Sequence, residues 1–190
     1  MEQALAFWET ALIEKGGSAR YESNYPRKFE LLTLPDPGNA GAWSEKYKDK
    51  ISQAAKELTR YALIKERIAN ASKLAGRNHY SLALFNEMNE LQIYPSNLLL
   101  LLQKYDKIIT VGDKKSTQLE IQKYVNHFAE IRRQYEEVFS KTRILKNPEG
   151  YILNQNNPDH SHLANSTANN DWMYVDELAM NSKINNWLAQ

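Results

Sequence analysis

Asn86 to Asp106 reads NEMNELQIYPSNLLLLLQKYD, and the reading of this stretch decides the fold. Five leucines stand in a row, Leu98 to Leu102, just behind Pro95. A helix apolar along one stripe faces a core, whereas one apolar on every side lies inside it. The run is too short to cross a bilayer, which takes about 20 apolar residues. It therefore predicts the central strut of a helical domain. Pro95 removes one backbone hydrogen bond and biases Tyr94 away from the helical region. The helix then either kinks there or breaks for one residue, with Ser96 capping the new start.

Working outward, this helix is predicted from about Asn78 to Ile109, with Leu82, Phe85, Met88 and Ile93 in its first half and Val111-Gly112-Asp113 closing it. Upstream, Tyr47, Ile51, Ala54, Leu58, Tyr61, Ile68, Ala71 and Leu74 recur at spacings of three and four, the helical period. That helix should begin at Ser44 as N-cap and end near Ala75, before Gly76. Downstream, Thr117 and Glu120 form a capping-box pattern. They precede a stripe of Leu119, Tyr124, Val125, Phe128, Ile131, Tyr135, Val138 and Phe139 that fades near Arg143. The connections, at Gly76-Arg77 and at Gly112 to Ser116, are short, and short links make long helices antiparallel neighbours.

The two ends read differently. Leu5, Trp8 and Leu12 suggest a short amphipathic helix over Glu2 to Glu14, stopped by Gly16-Gly17-Ser18. Pro26, Pro35 and Pro37 then exclude a long helix. After Arg143 the composition changes, and Asn154 to Asn170 reads NQNNPDHSHLANSTANN, with no helical stripe. Trp172, Val175, Leu178, Ala179, Ile184 and Trp187 follow, suggesting one or two short helices, capped by Asp171, that pack back on the bundle. The predicted fold is all-α: an antiparallel bundle of three long helices, short helices at both ends and a long Asn-rich loop. It forms one domain in three parts. Residues 1–43 are a short helix and an irregular Pro/Gly-rich lead-in, 44–143 the three-helix core, and 144–190 the loop and C-terminal segment.

Hydrophobic residues make up 42% of the chain, charged residues 25%, and the net charge is +1. This is the composition of an ordinary soluble domain. It lacks the basic excess of a nucleic-acid binder and any span for a membrane. The absence of cysteine excludes disulfide scaffolds and cysteine-ligated zinc. MEQALAFWETALIEK carries Glu2, Glu9 and Glu14 and does not read as a secretory signal.

Three groups could carry chemistry. Asp176-Glu177 is an adjacent acidic pair of the kind in which one carboxyl polarises an acetamido group while its neighbour protonates the leaving oxygen. It lies in an amphipathic segment with no glycine-rich strand end before it, so it reads as surface or capping carboxylates. Asp159, His160 and His162 could present a carboxylate and two imidazoles to a metal, since alternation in an extended loop can place both histidines on one side. A third fixed ligand and an HExxH pattern are both missing, so loop hydrogen bonding is the expectation and no cofactor or metal is assigned. The amide-rich loop is the best candidate for ligand contact. Sugars are held by aromatic faces and by planar amides that both donate and accept, which nominates Tyr151, Asn154, Asn156, His160, His162 and Trp172 for glycan contact. Arg20, Arg27, Lys28, Arg132 and Arg133 read as solvated or salt-bridged surface.

Several phrases carry a family resemblance. They are Tyr25-Pro26-Arg27-Lys28-Phe29-Glu30, Leu34-Pro35-Asp36-Pro37, Gly41-Ala42-Trp43-Ser44-Glu45-Lys46-Tyr47 and Asn89-Glu90-Leu91-Gln92-Ile93-Tyr94-Pro95, followed by Asn147-Pro148-Glu149-Gly150-Tyr151-Ile152-Leu153-Asn154-Gln155-Asn156 and Asp171-Trp172-Met173-Tyr174. Together they resemble the helical region that follows the catalytic barrel in large Bacteroidetes glycoside hydrolases. Family 20 β-N-acetylhexosaminidases are the most similar, with family 115 α-glucuronidases as the competitor. The family 20 catalytic pattern, a His-x-Gly-Gly run leading into Asp-Glu, is missing, so the resemblance transfers no catalytic residue. It implies a helical accessory domain with no activity alone, a catalytic barrel of the same polypeptide as partner, glycan as ligand, and a periplasmic or secreted parent protein. A stand-alone helical interaction module is the alternative.

Overall fold

The computed structural model describes residues 11–15, 30–142 and 174–189. Strands β1 (Ile13–Lys15) and β2 (Glu30–Leu31) precede helices α1 (Ala42–Lys46), α2 (Lys48–Leu74), α3 (His79–Lys107), α4 (Val111–Phe139) and α5 (Val175–Leu188). The three long helices hold 27, 29 and 29 residues and rise about 40 Å each. Cross-contacts fix their direction. Ser44, just ahead of α2, donates to Asp106 near the end of α3, whereas Lys65, further along, meets Glu90 at 2.6 Å. Lys104 of α3 meets Glu120 of α4, whereas Tyr80 bonds Thr142 just past the α4 end. Rising numbers on one helix meet falling numbers on the next, so the bundle is up-down-up with α3 in the middle.

The leucine run forms the centre of the core, though not on all sides. Leu98, Leu99 and Leu102 are fully buried with Tyr94 and Tyr105, while Leu100 and Leu101 are only partly covered. Around them pack Trp43 of α1, Tyr47 between α1 and α2, Ile51 and Ala54 of α2, and Ile121, Val125, Phe128 and Ile131 of α4. Met180 and Ile184 of α5 and Leu12 and Leu32 of the hairpin complete the cluster. Pro95 is buried inside an unbroken α3, so of the two alternatives, a kink or a one-residue break, the break is excluded. Packing against several elements offsets the single missing backbone bond.

Three boundaries also differ from expectation. The helix expected to start at Ser44 starts at Ala42, after Gly41 at φ 85°, and a junction at Tyr47 separates α1 from α2. Ser44 does not cap. Its own N–H donates to Asp106 Oδ2 of α3 at 2.8 Å. Tyr47 is pulled aside because its hydroxyl donates to Glu14 at 2.7 Å and accepts from the Thr33 N–H. The segment Val111-Gly112-Asp113 opens α4 where a closing loop was expected, and the connection is Ile108 to Thr110. Thr117 is therefore buried within α4 and is no cap; Thr110 holds that place, with its hydroxyl on Asp113. Finally, Ile13–Lys15 is a strand and does not end a helix. It pairs antiparallel with β2, Ile13 opposite Leu31 and Lys15 opposite Glu30. The rest of the expected N-terminal helix, residues 2–10, lies outside the described residues, as do Gly16-Gly17-Ser18. The C-terminal segment forms one helix, α5, and its expected cap Asp171 also lies outside them.

Among the described residues no helix is long and apolar enough to cross a membrane. The apolar stripes outrun the core: Leu74 is 87% exposed, and Leu119 and Phe85 are also exposed. Leu74 and Phe85 lie toward the ends of α2 and α3 away from α1, and Leu119 lies on the exposed face of α4 beside Glu120, which meets Lys104 of α3.

Candidate functional site

Two helices running side by side leave a seam, and the residues at i, i+3, i+4 and i+7 along each helix line it. On α3 these are Asn97, Leu100, Leu101 and Lys104; on α4 they are Glu120, Lys123, Tyr124 and His127. They enclose a groove of about 550 Å³, within the range of about 300–1,000 Å³ usual for small-ligand sites. Leu100 and Leu101 give an apolar floor. Tyr124 stacks on the fully buried Tyr94, with ring centroids 5.1 Å apart and planes at 9°. Burial pushes the Tyr124 hydroxyl up to about 12. Lys104 and Glu120 bridge the seam at 2.5 Å. The His127 ring lies 6.4 Å from that of Tyr124.

A second hollow, of about 450 Å³, lies at the α3–α4 turn between Pro37, Tyr105, Ile109, Val111 and Lys114. Lys114 closes it by donating to the Pro37 carbonyl at 2.6 Å, with its ammonium over the Tyr105 ring. Ile109 and Val111 are each 84% exposed beside it.

The acidic pair stands elsewhere and corrects its surface reading. Asp176 is 0% and Glu177 2% exposed. Both sit in the first turn of α5, where the positive end of the helix dipole favours carboxylates. That turn is pressed against α4, where Tyr174 lies edge-on to Phe128 and Tyr135, and Arg132 sits over the Tyr174 ring at 4.8 Å. Burial raises the pKa of the Tyr174 hydroxyl, and that of Tyr94, which donates to Asn181 at 2.6 Å.

Arg133 is salt-bridged to Glu130 and Glu137 on the exposed face of α4, and Arg132 to Glu136, in keeping with the surface reading of that basic pair. Tyr151, Asn154, Asn156, His160, His162 and Trp172 all lie outside the described residues, as do Asp159, Arg20, Arg27 and Lys28. Among the described residues no three His, Cys, Asp or Glu side chains gather closely enough to hold a metal ion. The α3–α4 groove was not among the sequence candidates. Its signal was present: polar Asn97 and Lys104 flank Leu100 and Leu101 at helical spacing, which marks a half-wet seam within the leucine run.

Comparison of the chain with protein-family models, with curated proteins and with solved structures finds no match.

Proposed function

We propose that this chain is a non-catalytic helical accessory domain of a glycoside hydrolase acting on N-acetylhexosamine-containing glycans, where it supports the catalytic barrel or shapes its glycan site. The burial of Asp176 and Glu177 carries the non-catalytic part: the acidic pair nearest to a hydrolase motif lies buried in the first turn of α5. The glycosidase setting is supported by the family resemblance of the sequence phrases. Gly41 to Tyr47, one of those phrases, forms α1 and its junction. There Trp43 donates to the Thr33 carbonyl and Ser44 to Asp106, so the phrase has a structural reason to recur. The reading implies a barrel of the same polypeptide as partner and a periplasmic or secreted setting.

Two measurements test it. The isolated chain should not hydrolyse a chromogenic N-acetylglucosaminide; turnover that disappears in Glu177→Gln would overturn the non-catalytic reading. The reading frame upstream of Met1 should continue into a barrel-coding sequence. An in-frame stop directly ahead of Met1 would instead favour a stand-alone helical interaction module with no carbohydrate role. The exposed Ile109 and Val111 favour that alternative, since fully burying each would be worth about 1.5–3 kcal/mol to a partner surface.

A further inference from the structure

The groove between α3 and α4 has a chemistry of its own. One face of the Tyr124 ring is covered by Tyr94, lying nearly parallel to it. The ring therefore cannot swing away without losing that stack, and it reaches the groove already held in place. Leu100 and Leu101 extend the apolar surface beside it. At one end Lys104 and Glu120 neutralise each other at 2.5 Å while leaving donors and acceptors toward solvent, both side chains being about half exposed.

This lining selects among ligand classes. An anionic ligand would have to sit beside the Glu120 carboxylate, with Lys104 already committed to it and only Lys123 of the lining left as a counter-charge. A wholly apolar ligand would strip water from the same ion pair and from Asn97 without replacing the hydrogen bonds, at a desolvation cost. A pyranose ring meets neither objection. Its C–H face lies on aromatic and aliphatic surface, and its rim of hydroxyls both donates and accepts. We propose that the α3–α4 groove is a binding subsite for neutral glycans, with Tyr124 as the stacking platform and Asn97, Lys104 and Glu120 as the hydroxyl partners. The ligand class follows from the groove, and the biological setting rests on the accessory-domain reading above.

The test is an NMR titration of the isotope-labelled full chain with N,N′-diacetylchitobiose, and with cellobiose as a pyranose lacking acetamido groups. Saturable shifts are expected at Asn97, Leu100, Leu101 and Tyr124 with at least one of the two. Tyr124→Leu should weaken binding at least tenfold. Glu120→Gln, which keeps the Tyr94–Tyr124 stack, should weaken it several-fold with an unchanged melting curve. Absence of shifts at these residues with both sugars overturns the inference, and so does a Glu120→Gln variant that folds and binds as the wild type does. Saturation of the same residues by dodecanoate but by neither sugar makes the groove an apolar-ligand site and overturns it equally. Sugar shifts confined to Tyr151 and Trp172, and lost in Trp172→Ala, remove the groove while leaving the accessory-domain reading intact. Groove binding in a chain whose reading frame holds no barrel removes that reading and leaves the subsite standing.

Discussion

Asp106 is the residue on which the entrance to the bundle hangs. Its carboxylate accepts from the Ser44 N–H and its carbonyl from the Gly41 N–H at 2.9 Å, so one α3 residue holds both the start and the first turn of α1. Asp106→Ala leaves the Ser44 donor buried and unanswered and should cost about 1–3 kcal/mol in urea unfolding. Asp106→Asn retains an acceptor oxygen and should recover most of that loss; equal losses in the two variants would refute the capping role. Tyr124 sets an alkaline limit. Its folded pKa is raised, so the folded state holds its proton more tightly than the unfolded chain does. Its contribution to stability is therefore complete below pH 10 and lost as pH rises from 10 to about 12. Tyr94 and Tyr174, raised mainly by burial, act in the same direction. Urea midpoints measured from pH 9 upward should fall, and Tyr124→Phe should make that fall shallower. None of these residues stands out in the sequence. Asp106 looks like one more charge at a helix end, and Tyr124 like one member of a stripe.

At the scale of elements, the leucine run divides into a buried side and a groove side. Leu99 is fully buried within the core cluster, whereas Leu100 lines the groove. Leu99→Ala should destabilise by about 2.7–5 kcal/mol through loss of transfer free energy and the cavity left behind. Leu99→Asp should abolish the cooperative thermal transition, whereas Leu100→Asp should still melt cooperatively. Loss of folding in both would mean that α3 is enclosed on all sides. The element boundaries missed from sequence share one cause. Gly112 is locally a helix breaker, since glycine weakens helices by about 1 kcal/mol relative to alanine. Thr117, with Glu120 three residues on, is locally a capping signal. Docking of α4 in the bundle buries Thr117, and Thr110, with its hydroxyl on Asp113, sets the start of α4 back at Val111. At α1–α2 the local pattern ran on without interruption. The break at Tyr47 comes from a hydroxyl drawn to Glu14 and Thr33, partners 33 and 14 residues away.

At the scale of the whole molecule, stability is concentrated where α1, the β hairpin, α5 and the second half of α3 meet. The ends of α2 and α3 farthest from that region are thinly covered. Leu74→Ser and Phe85→Ser, both at exposed positions, should therefore change stability by no more than about 0.5 kcal/mol despite removing large apolar groups. A larger loss in thermal unfolding would place those side chains in a packed interface. The amino-acid sequence by itself determined the all-α class, the three long helices and their antiparallel order. A period of three to four residues and short links are local properties that any stretch of the chain carries within itself. Only the tertiary structure decided where Asp176 and Glu177 lie, which residue caps α1 and that the leucine run has a wet side. Each of these depends on a partner brought near by packing. The Ser44 donor and its Asp106 acceptor are 62 residues apart, and the acidic pair is buried in the first turn of a helix whose neighbour Tyr174 packs on Phe128 and Tyr135 of α4. No spacing within one element encodes such contacts.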